Sequence, residues 1–345
     1  MKNADLILTD KILSHQISLL RFGAGEKKKV LKLLNQLQKE LRAKLLLDLT
    51  DFSRARTNKL LKEATFVIAQ SYKEIQTGFD FSGLAKHESS ATAQSFAAIG
   101  LEASLPTETA LKSLISDVLI EGSPAGAWWS KQSDDLSFKF AAQVRQGIAG
   151  NETVQQIVRR IIGSPRLGTP GIMETSRRGA TALVHTSVQQ VANDSRLATF
   201  KANDDIIKGV QQLSTLDSKT SPVCVAYSGA SWDLDGNPIN GTTLAFNGGP
   251  PRHFNCRSVL VPITLTYKEL GIDIPEAPPG TRASDEGQVR SDITMTEWLK
   301  GKPPAYVDEL LGPGRAKLFL DGKITLNQLV DQTGRELSLE QLRGL

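Results

Sequence analysis

The stretch that decides the fold opens with Leu216-Asp217-Ser218-Lys219-Thr220-Ser221-Pro222-Val223-Cys224 and closes with Pro250-Pro251-Arg252-His253-Phe254-Asn255-Cys256-Arg257. Both cysteines of the chain and one of its four histidines lie in these two pieces. Thiolate and imidazole are the usual ligands of zinc, and a His-x-x-Cys pair can place its nitrogen and sulfur around one ion. The sequence therefore predicts a metal site formed by Cys224, His253 and Cys256.

The fourth ligand of this site is not fixed by the motif. A closed structural zinc site has four ligands, and the motif supplies three. Asp217 is the first candidate for the fourth, and water is the second. Two other interpretations of the cysteines stay open, because they can form a disulfide or remain free as small buried side chains. Their confinement to one segment favours a shared role.

Length and composition are those of a soluble protein with two or three domains. The 345 residues are 40% hydrophobic and 23% charged, and the net charge is +4, as in ordinary folded proteins. So small a charge is by itself too weak to indicate nucleic-acid binding. No apolar run approaches the roughly 18 residues that cross a bilayer, and the N-terminus lacks the apolar core of a signal peptide. We therefore expect assembly in a reducing cytoplasm and no membrane partner.

The first 80 residues predict a basic, amphipathic helical hairpin. Apolar residues recur at three- and four-residue steps in the first helix, which indicates one buried stripe; they are Val30, Leu34, Leu37, Leu41 and Leu45. A second amphipathic stretch runs over about 54–75. We expect Gly23 and Gly25 to interrupt the first helix just before Glu26.

Basic residues cover the rest of the first helix. They are Lys27, Lys28, Lys29, Lys32, Lys39, Arg42 and Lys44. One interpretation is that they only keep a surface soluble, since Lys and Arg are good helix formers. The other is electrostatic contact with DNA or an acidic partner.

The remaining chain predicts an α+β fold that is predominantly α-helical. We expect a helical domain over 81–165 and an α+β module over 166–265, with strands at 206–215 and 258–263 that pair and bring the ends of the Cys/His loop together. Beyond residue 266 the prolines Pro275, Pro278 and Pro279 suggest an extended C-terminal arm with short helices over 266–345. The fold class is thus α+β, with a small β-containing Cys/His loop module in the second half and an extended arm.

Three pieces of the chain together resemble the bacteriophage head morphogenesis family, the minor head proteins similar to the F protein of phage Mu. They are the helix at about 175–203, the Asp217–Cys224 stretch with His253-x-x-Cys256-Arg257, and a tail pattern from Trp298-Leu299-Lys300 through Leu311-Gly312, Arg315, Leu318-Phe319 and Gly322. The resemblance covers about half of the chain, from roughly residue 140 to the end. The chain departs from the family pattern at Ser221 and Ser258, where family members often carry further cysteines.

The resemblance implies a low-copy structural protein of the virion, assembled in the host cytoplasm and held inside the head near the portal. It implies the portal protein as partner, with packaged double-stranded DNA and the major capsid protein as further partners. Trp298, Leu311, Arg315 and Phe319 are the portal-contact candidates. Zinc at the Cys/His motif would then be structural, and the protein would not be an enzyme.

Two alternatives belong to other classes. The first alternative is a zinc-dependent hydrolase or nuclease with Asp217 or Asp235 as base, because a catalytic zinc has three protein ligands and an open position. A non-specific DNA-binding protein without a portal role is the other.

Overall fold

Helices make up most of the structure. A computed structural model describes residues 3–49, 52–116, 118–266, 269, 281–290 and 292–345, and 62% of it is helical. Most of the strand residues lie in the second half of the chain. The prediction of a predominantly α-helical α+β fold is confirmed.

The helices range from five residues to 46. Their bounds are α1 (Asn3–Asp48), α2 (Arg54–Thr77), α3 (Phe81–Ser95), α4 (Glu108–Ser116), α5 (Ala125–Ala149), α6 (Val154–Ile162), α7 (Ile172–Lys201), α8 (Pro222–Tyr227), α9 (Met295–Lys300), α10 (Pro304–Leu311), α11 (Pro313–Leu320) and α12 (Leu339–Arg343). The predicted interruption of α1 at Gly23 and Gly25 is wrong. A helical glycine costs about 1 kcal/mol relative to alanine but keeps its backbone hydrogen bond, and the long buried stripe of this helix outweighs that cost.

The strands are short and pair antiparallel. They are β1 (Leu119–Ile120), β2 (Ser123–Pro124), β3 (Gly163–Ser164), β4 (Thr169–Pro170), β5 (Ile207–Leu213), β6 (Ser231–Trp232), β7 (Pro238–Ile239), β8 (Val259–Thr264), β9 (Thr281–Ser284) and β10 (Gly287–Arg290). Strands β7, β6, β5 and β8 form the largest sheet, in that order. Gly209 in β5 is required by close packing, because a Cβ atom there would lie 2.4 Å from the backbone oxygen of Trp232.

The pairing of β5 with β8 positions the Cys/His motif. The two strands pair over their length, with Val210 opposite Pro262 and Leu213 opposite Val259. The end of β5 and the start of β8 are therefore neighbours. This confirms the prediction that the two strands pair and bring the ends of the motif loop together.

The chain folds as two compact units, each built from separate segments. Unit 1 comprises Met1–Leu19, Phe81–Asp117 and Gln189–Leu345, and unit 2 comprises Leu20–Asp80 and Val118–Val188. These divisions fall within α1 and α7, so they do not follow the four consecutive segments that the sequence predicts. The physical reason is that distant segments share one core: the buried backbone N–H of Thr264, for example, donates to the Asp5 carboxylate at 2.6 Å.

The core of unit 1 includes the C-terminal helices. Buried side chains of α9, α10 and α11 belong to the same hydrophobic cluster as Ile207, Val210 and Trp232 of the sheet. The β9–β10 hairpin also touches the motif, since the backbone N–H of Asp285 donates to the carbonyl of Leu216 at 3.1 Å. The short helices predicted after residue 266 are present, but the prediction of an extended arm is wrong for 281–290 and 292–345. Pro275, Pro278 and Pro279 lie outside the described residues.

Unit 2 is helical and packs α2 against α5. The two helices contribute buried aromatic residues, and the rings of Tyr72 and Trp129 lie 6.3 Å apart. The predicted stripe of α1 is buried along its whole length, from Val30 to Leu45. Lys44 of α1 bonds Glu63 of α2 at 2.7 Å, so these two helices of the predicted hairpin are in contact.

Candidate metal centre

Cys224 is positioned by the first turn of α8. Ser221 is the N-cap of this helix and Pro222 follows at its first position, a combination typical of helix starts. The backbone N–H of Cys224 donates to the Ser221 hydroxyl at 3.2 Å. A second anchor is the buried hydroxyl of Ser214, which donates to the carbonyl of Cys224 at 2.7 Å. The thiol therefore sits on a turn with a defined backbone.

The three predicted ligands converge in the structure. The Cys224 sulfur lies 3.2 Å from His253 Nε2 and 3.5 Å from the Cys256 sulfur. All three ligand atoms lie within 4.8 Å of one another. Both cysteines are free and buried, at 3% and 1% exposure. Cys224, His253 and Cys256, called the Cys/His triad below, can therefore hold a metal ion.

Hydrogen bonds fix the orientation of the His253 ring. Its Nδ1 lies 2.8 Å from the carbonyl oxygen of Phe254. Because a carbonyl oxygen only accepts, Nδ1 carries a proton, and the Nδ1–H tautomer of the ring presents the lone pair of Nε2. That lone pair faces Cys224 and the Ser221 hydroxyl, which lies 2.8 Å away. This is the tautomer that a metal ligand needs.

The two thiols differ in acidity. The pKa of Cys224 is lowered to about 7, first because the Cys256 thiol donates a hydrogen bond to its thiolate, and further by bonds from Ser258 and Ser221 and by the charge of Arg252. The pKa of Cys256 is raised well above its usual value by the same bond and by burial. Of the two thiols, Cys224 therefore loses its proton more readily, and the thiolate is the form that ligates metals.

Arg252 supports this site, although sequence reasoning did not assign it a role. Its guanidinium lies 3.8 Å from the centre of the Tyr227 ring. It donates to the Gln212 side chain at 3.0 Å and to the carbonyl of Phe246 at 2.8 Å. Its charge favours the Cys224 thiolate. The only sequence signal for it is its position next to His253.

Asp217 is not a ligand, so the first candidate for the fourth ligand is wrong. Its carboxylate accepts two hydrogen bonds from Arg257, at 2.5 and 2.8 Å, and one from the backbone of Lys219 at 3.0 Å. Burial raises the pKa of the Asp217 carboxyl, but the bond and charge of Arg257 outweigh burial and keep the pKa below its usual value. A bidentate arginine competes successfully for this carboxylate. Asp217 instead anchors the loop, as Arg257 does from the other side.

The space beside the Cys/His triad is small. A cavity of about 20 Å³ is lined by Ser221, Cys224, His253 and Arg257, among others. One water needs about 10–15 Å³ of such space, so the cavity has room for water but not for a substrate. Asp235, the other candidate base, is exposed in a turn where its backbone N–H donates to the Asp233 carboxylate at 3.0 Å.

The seven basic residues predicted to bind DNA or a partner divide into two groups. Lys29 bonds Glu26 at 2.6 Å, Lys44 bonds Glu63 at 2.7 Å, and the half-buried Lys27 has a pKa lowered by burial. The remaining four are exposed on one face of α1; they are Lys28, Lys32, Lys39 and Arg42. Among the described residues, no acidic side chain lies within ion-pair distance of these four. We call them the basic ridge.

The basic ridge faces away from the buried stripe of α1, about 140° around the helix axis. At 3.6 residues per turn its four side chains fall within an arc of about 80°, and they extend over about 21 Å of helix. Unit 2 as a whole holds 21 Lys and Arg against 12 Asp and Glu, whereas unit 1 holds 20 against 25. The small net charge of the chain thus conceals a strongly basic unit and an acidic one.

Three of the four portal-contact candidates are buried, and the fourth, Arg315, is half-buried. Trp298, Leu311 and Phe319 are 4%, 3% and 2% exposed and belong to the core of unit 1. Arg315 bonds the carbonyl of Leu337 at 2.9 Å and pairs with Glu336 at 3.0 Å. The spacing of the three buried residues in the sequence reflects the packing of α9, α10 and α11, so their assignment to a partner surface is wrong.

Comparison with known proteins adds no relative. No protein-family model, curated protein or solved structure matches the chain. Within the part of the chain that the structure describes, none of the helices combines the length and apolar character needed to cross a bilayer.

Proposed function

We propose that the chain is a structural minor head protein of a bacteriophage, held at the portal vertex, with its loops fastened by a zinc ion at the Cys/His triad. The observation that supports this most is the convergence of Cys224, His253 and Cys256 from the two pieces of the motif on which the resemblance rests. The Asp217–Arg257 pair, also part of that motif, holds the same loop ends together.

The donor set fits zinc. Zinc bonds of about 2.3 Å to sulfur and 2.0–2.1 Å to nitrogen, at tetrahedral angles, place neighbouring ligand atoms about 3.5–3.8 Å apart. The separations of 3.2 and 3.5 Å in the Cys/His triad are about 0.3 Å shorter, so small side-chain shifts would admit the ion. Bound zinc would supply a cross-link between α8 and the loop before β8.

Burial favours a structural rather than a catalytic role for this ion. The two thiols are almost fully buried, and the adjoining cavity of about 20 Å³ has no room for a substrate. A catalytic zinc keeps an accessible position and needs further convergent groups. Asp217 is occupied by Arg257, which removes it as a general base.

The basic ridge extends the proposal to DNA. The exposed cations of the basic ridge lie along one helix face of a unit with nine more basic than acidic residues. Among the described residues they have no acidic side chain within ion-pair distance, and such a face suits the phosphate backbone of a duplex without base readout. The portal, in contrast, would be contacted through surface residues other than Trp298, Leu311 and Phe319.

Co-expression of the full chain with a candidate portal protein tests the assignment. We expect the two to elute together in size-exclusion chromatography and the chain to be found in purified virions by mass spectrometry. Separate elution of both proteins, together with absence of the chain from virions, would contradict the proposal.

A further inference from the structure

A second group of ligating side chains lies in unit 1, outside the Cys/His triad. It consists of His15 from α1 and the adjacent His87 and Glu88 from α3, and their ligand atoms lie within 4.8 Å of one another. His15 Nε2 is 2.8 Å from Glu88 Oε1, and the centres of the two imidazole rings are 5.7 Å apart. Residues 72 positions apart in the chain thus present two imidazoles and a carboxylate together.

The carboxylate is held rigidly from behind. Glu88 is 1% exposed, and its second oxygen accepts a hydrogen bond at 3.1 Å from Arg196, which is fully buried. Arg196 is itself held by the side-chain oxygen of Gln16 at 3.1 Å, and Gln16 donates to Gln189 at 2.8 Å. This network orients Glu88 in the way that outer hydrogen bonds orient metal ligands.

The same network keeps Glu88 charged. Burial raises the pKa of its carboxyl, but the hydrogen bond from His15 and the charge of Arg196 outweigh burial and leave the pKa below its usual value. The carboxylate is therefore an anionic oxygen donor, and its Oε1 faces His15 Nε2.

The imidazole side of the group is open to solvent. His87 is exposed and His15 is half-buried, so an ion can reach them, and water can complete its coordination. A buried His–Glu hydrogen bond explains the position of His15 but gives no reason for a second imidazole beside it. Two imidazoles and one carboxylate are the protein donor set of open zinc sites.

The distances also suit one ion. Bonds of about 2.0–2.2 Å to nitrogen and oxygen, at angles of about 90–110°, separate two ligand atoms by about 2.9–3.4 Å. The observed 2.8 Å between His15 Nε2 and Glu88 Oε1 needs only a small widening. In the metal-bound form the ring proton of His15 would be on Nδ1, so that the lone pair of Nε2 would face the ion.

We propose that His15, His87 and Glu88 form a second cation site, which binds a divalent transition ion such as Zn²⁺, Ni²⁺ or Co²⁺ and links α1 to α3. Imidazole ligands favour these ions over Mg²⁺ and Ca²⁺. The guanidinium of Arg196, which shares Glu88, repels the ion, and so this site binds more weakly than the Cys/His triad. The site does not depend on the proposed function.

The test is equilibrium dialysis of the tag-free, reduced full chain against Co²⁺ or Zn²⁺, with the bound metal measured by elemental analysis. We expect two ions per chain, only one of which gives thiolate-to-cobalt absorption. His87→Ala should weaken the second ion at least tenfold and leave the thiolate absorption intact. His15→Gln, which can keep a hydrogen bond to Glu88, should do the same. Lys86→Ala, an exposed neighbour on α3, is the matched control and should bind like wild type.

Two results would overturn this site. One is a wild-type chain that binds no ion other than the one giving thiolate absorption. The other is a His87→Ala variant with the same stoichiometry and a Kd within about threefold of wild type. Loss of thiolate absorption with a persistent His87-dependent ion would instead count against the Cys/His triad alone, so the two proposals fail separately.

Discussion

Neutralising the basic ridge should remove a defined part of the salt dependence of DNA binding. The variant replaces Lys28, Lys32, Lys39 and Arg42 by glutamine. Each phosphate contact contributes about 0.9 to the slope of log K against log salt concentration, so four contacts correspond to a slope change of about 3.6. Over a rise from 50 to 200 mM salt, this difference in slope changes the ratio of the wild-type and variant affinities by about 150-fold.

Fluorescence anisotropy with a labelled duplex of arbitrary sequence measures this slope. Wild type and variant should differ by about 3.6 in slope and should not discriminate between duplex sequences. The four side chains are exposed, so the unfolding free energy should change by no more than about 0.5 kcal/mol. The matched control is Lys29→Gln with Lys44→Gln, since these lysines are paired with Glu26 and Glu63, and its slope should stay within about 1 of wild type.

Equal slopes for wild type and the fourfold variant would refute the assignment of DNA contact to the basic ridge. A slope change of about 1.8 in the control, half that of the fourfold variant, would show that overall charge, and not this face of α1, determines binding.

Three further predictions concern unit 1. Ser221→Cys places a third thiol beside His253, where the Ser221 hydroxyl now lies 2.8 Å from Nε2, and should tighten zinc binding at least tenfold in a competition titration with a chelator. Ser228→Cys, at the other end of α8, should not tighten it, and equal affinities for the two variants would contradict the geometry of the Cys/His triad. Burial raises the pKa of Asp194 to about 6 from an ordinary 3.8, so the stability that its protonated form contributes is present below pH 4 and is lost as pH rises to about 6. In denaturant titrations, the unfolding free energy of Asp194→Asn relative to wild type should therefore rise by up to about 3 kcal/mol between pH 4 and pH 7. A difference that does not change with pH would refute the reasoning. Arg257→Ala breaks the bidentate pair with Asp217 and should lower the unfolding free energy by about 1–2 kcal/mol. A decrease below about 0.3 kcal/mol would show that the pair does not anchor the loop.

The part of the site that could be predicted from sequence depends on local pattern and strand pairing. The change from helical to alternating period near Ile207 predicts β5, and a second apolar run predicts β8, so the convergence of Cys224 and Cys256 follows from one pairing. The predicted fourth ligand fails because the sequence does not show that Arg257 takes the Asp217 carboxylate. Both residues flank the motif, and only the fold decides which groups meet.

The division into units and the state of the C-terminal region could not be predicted in this way. The contact between Asp5 and Thr264 joins residues 259 positions apart, and no local signal marks it. Prolines in the tail suggest a loose arm, yet Pro304 and Pro313 stand in the first turns of α10 and α11, where proline favours a helix start. Trp298 and Phe319 carry the core contacts of that region, and a list of short helices does not reveal where they pack.

The most direct test of the metal-fastened motif is a Co²⁺ titration of the reduced, tag-free full chain, followed by its thiolate-to-cobalt absorption and then displaced with Zn²⁺. The absorption should saturate at one equivalent, vanish in a chain carrying Cys224→Ser and Cys256→Ser, and disappear from wild type as zinc replaces cobalt. A wild-type chain that gives no thiolate absorption at saturating Co²⁺ would contradict the central claim that Cys224, His253 and Cys256 hold a metal ion.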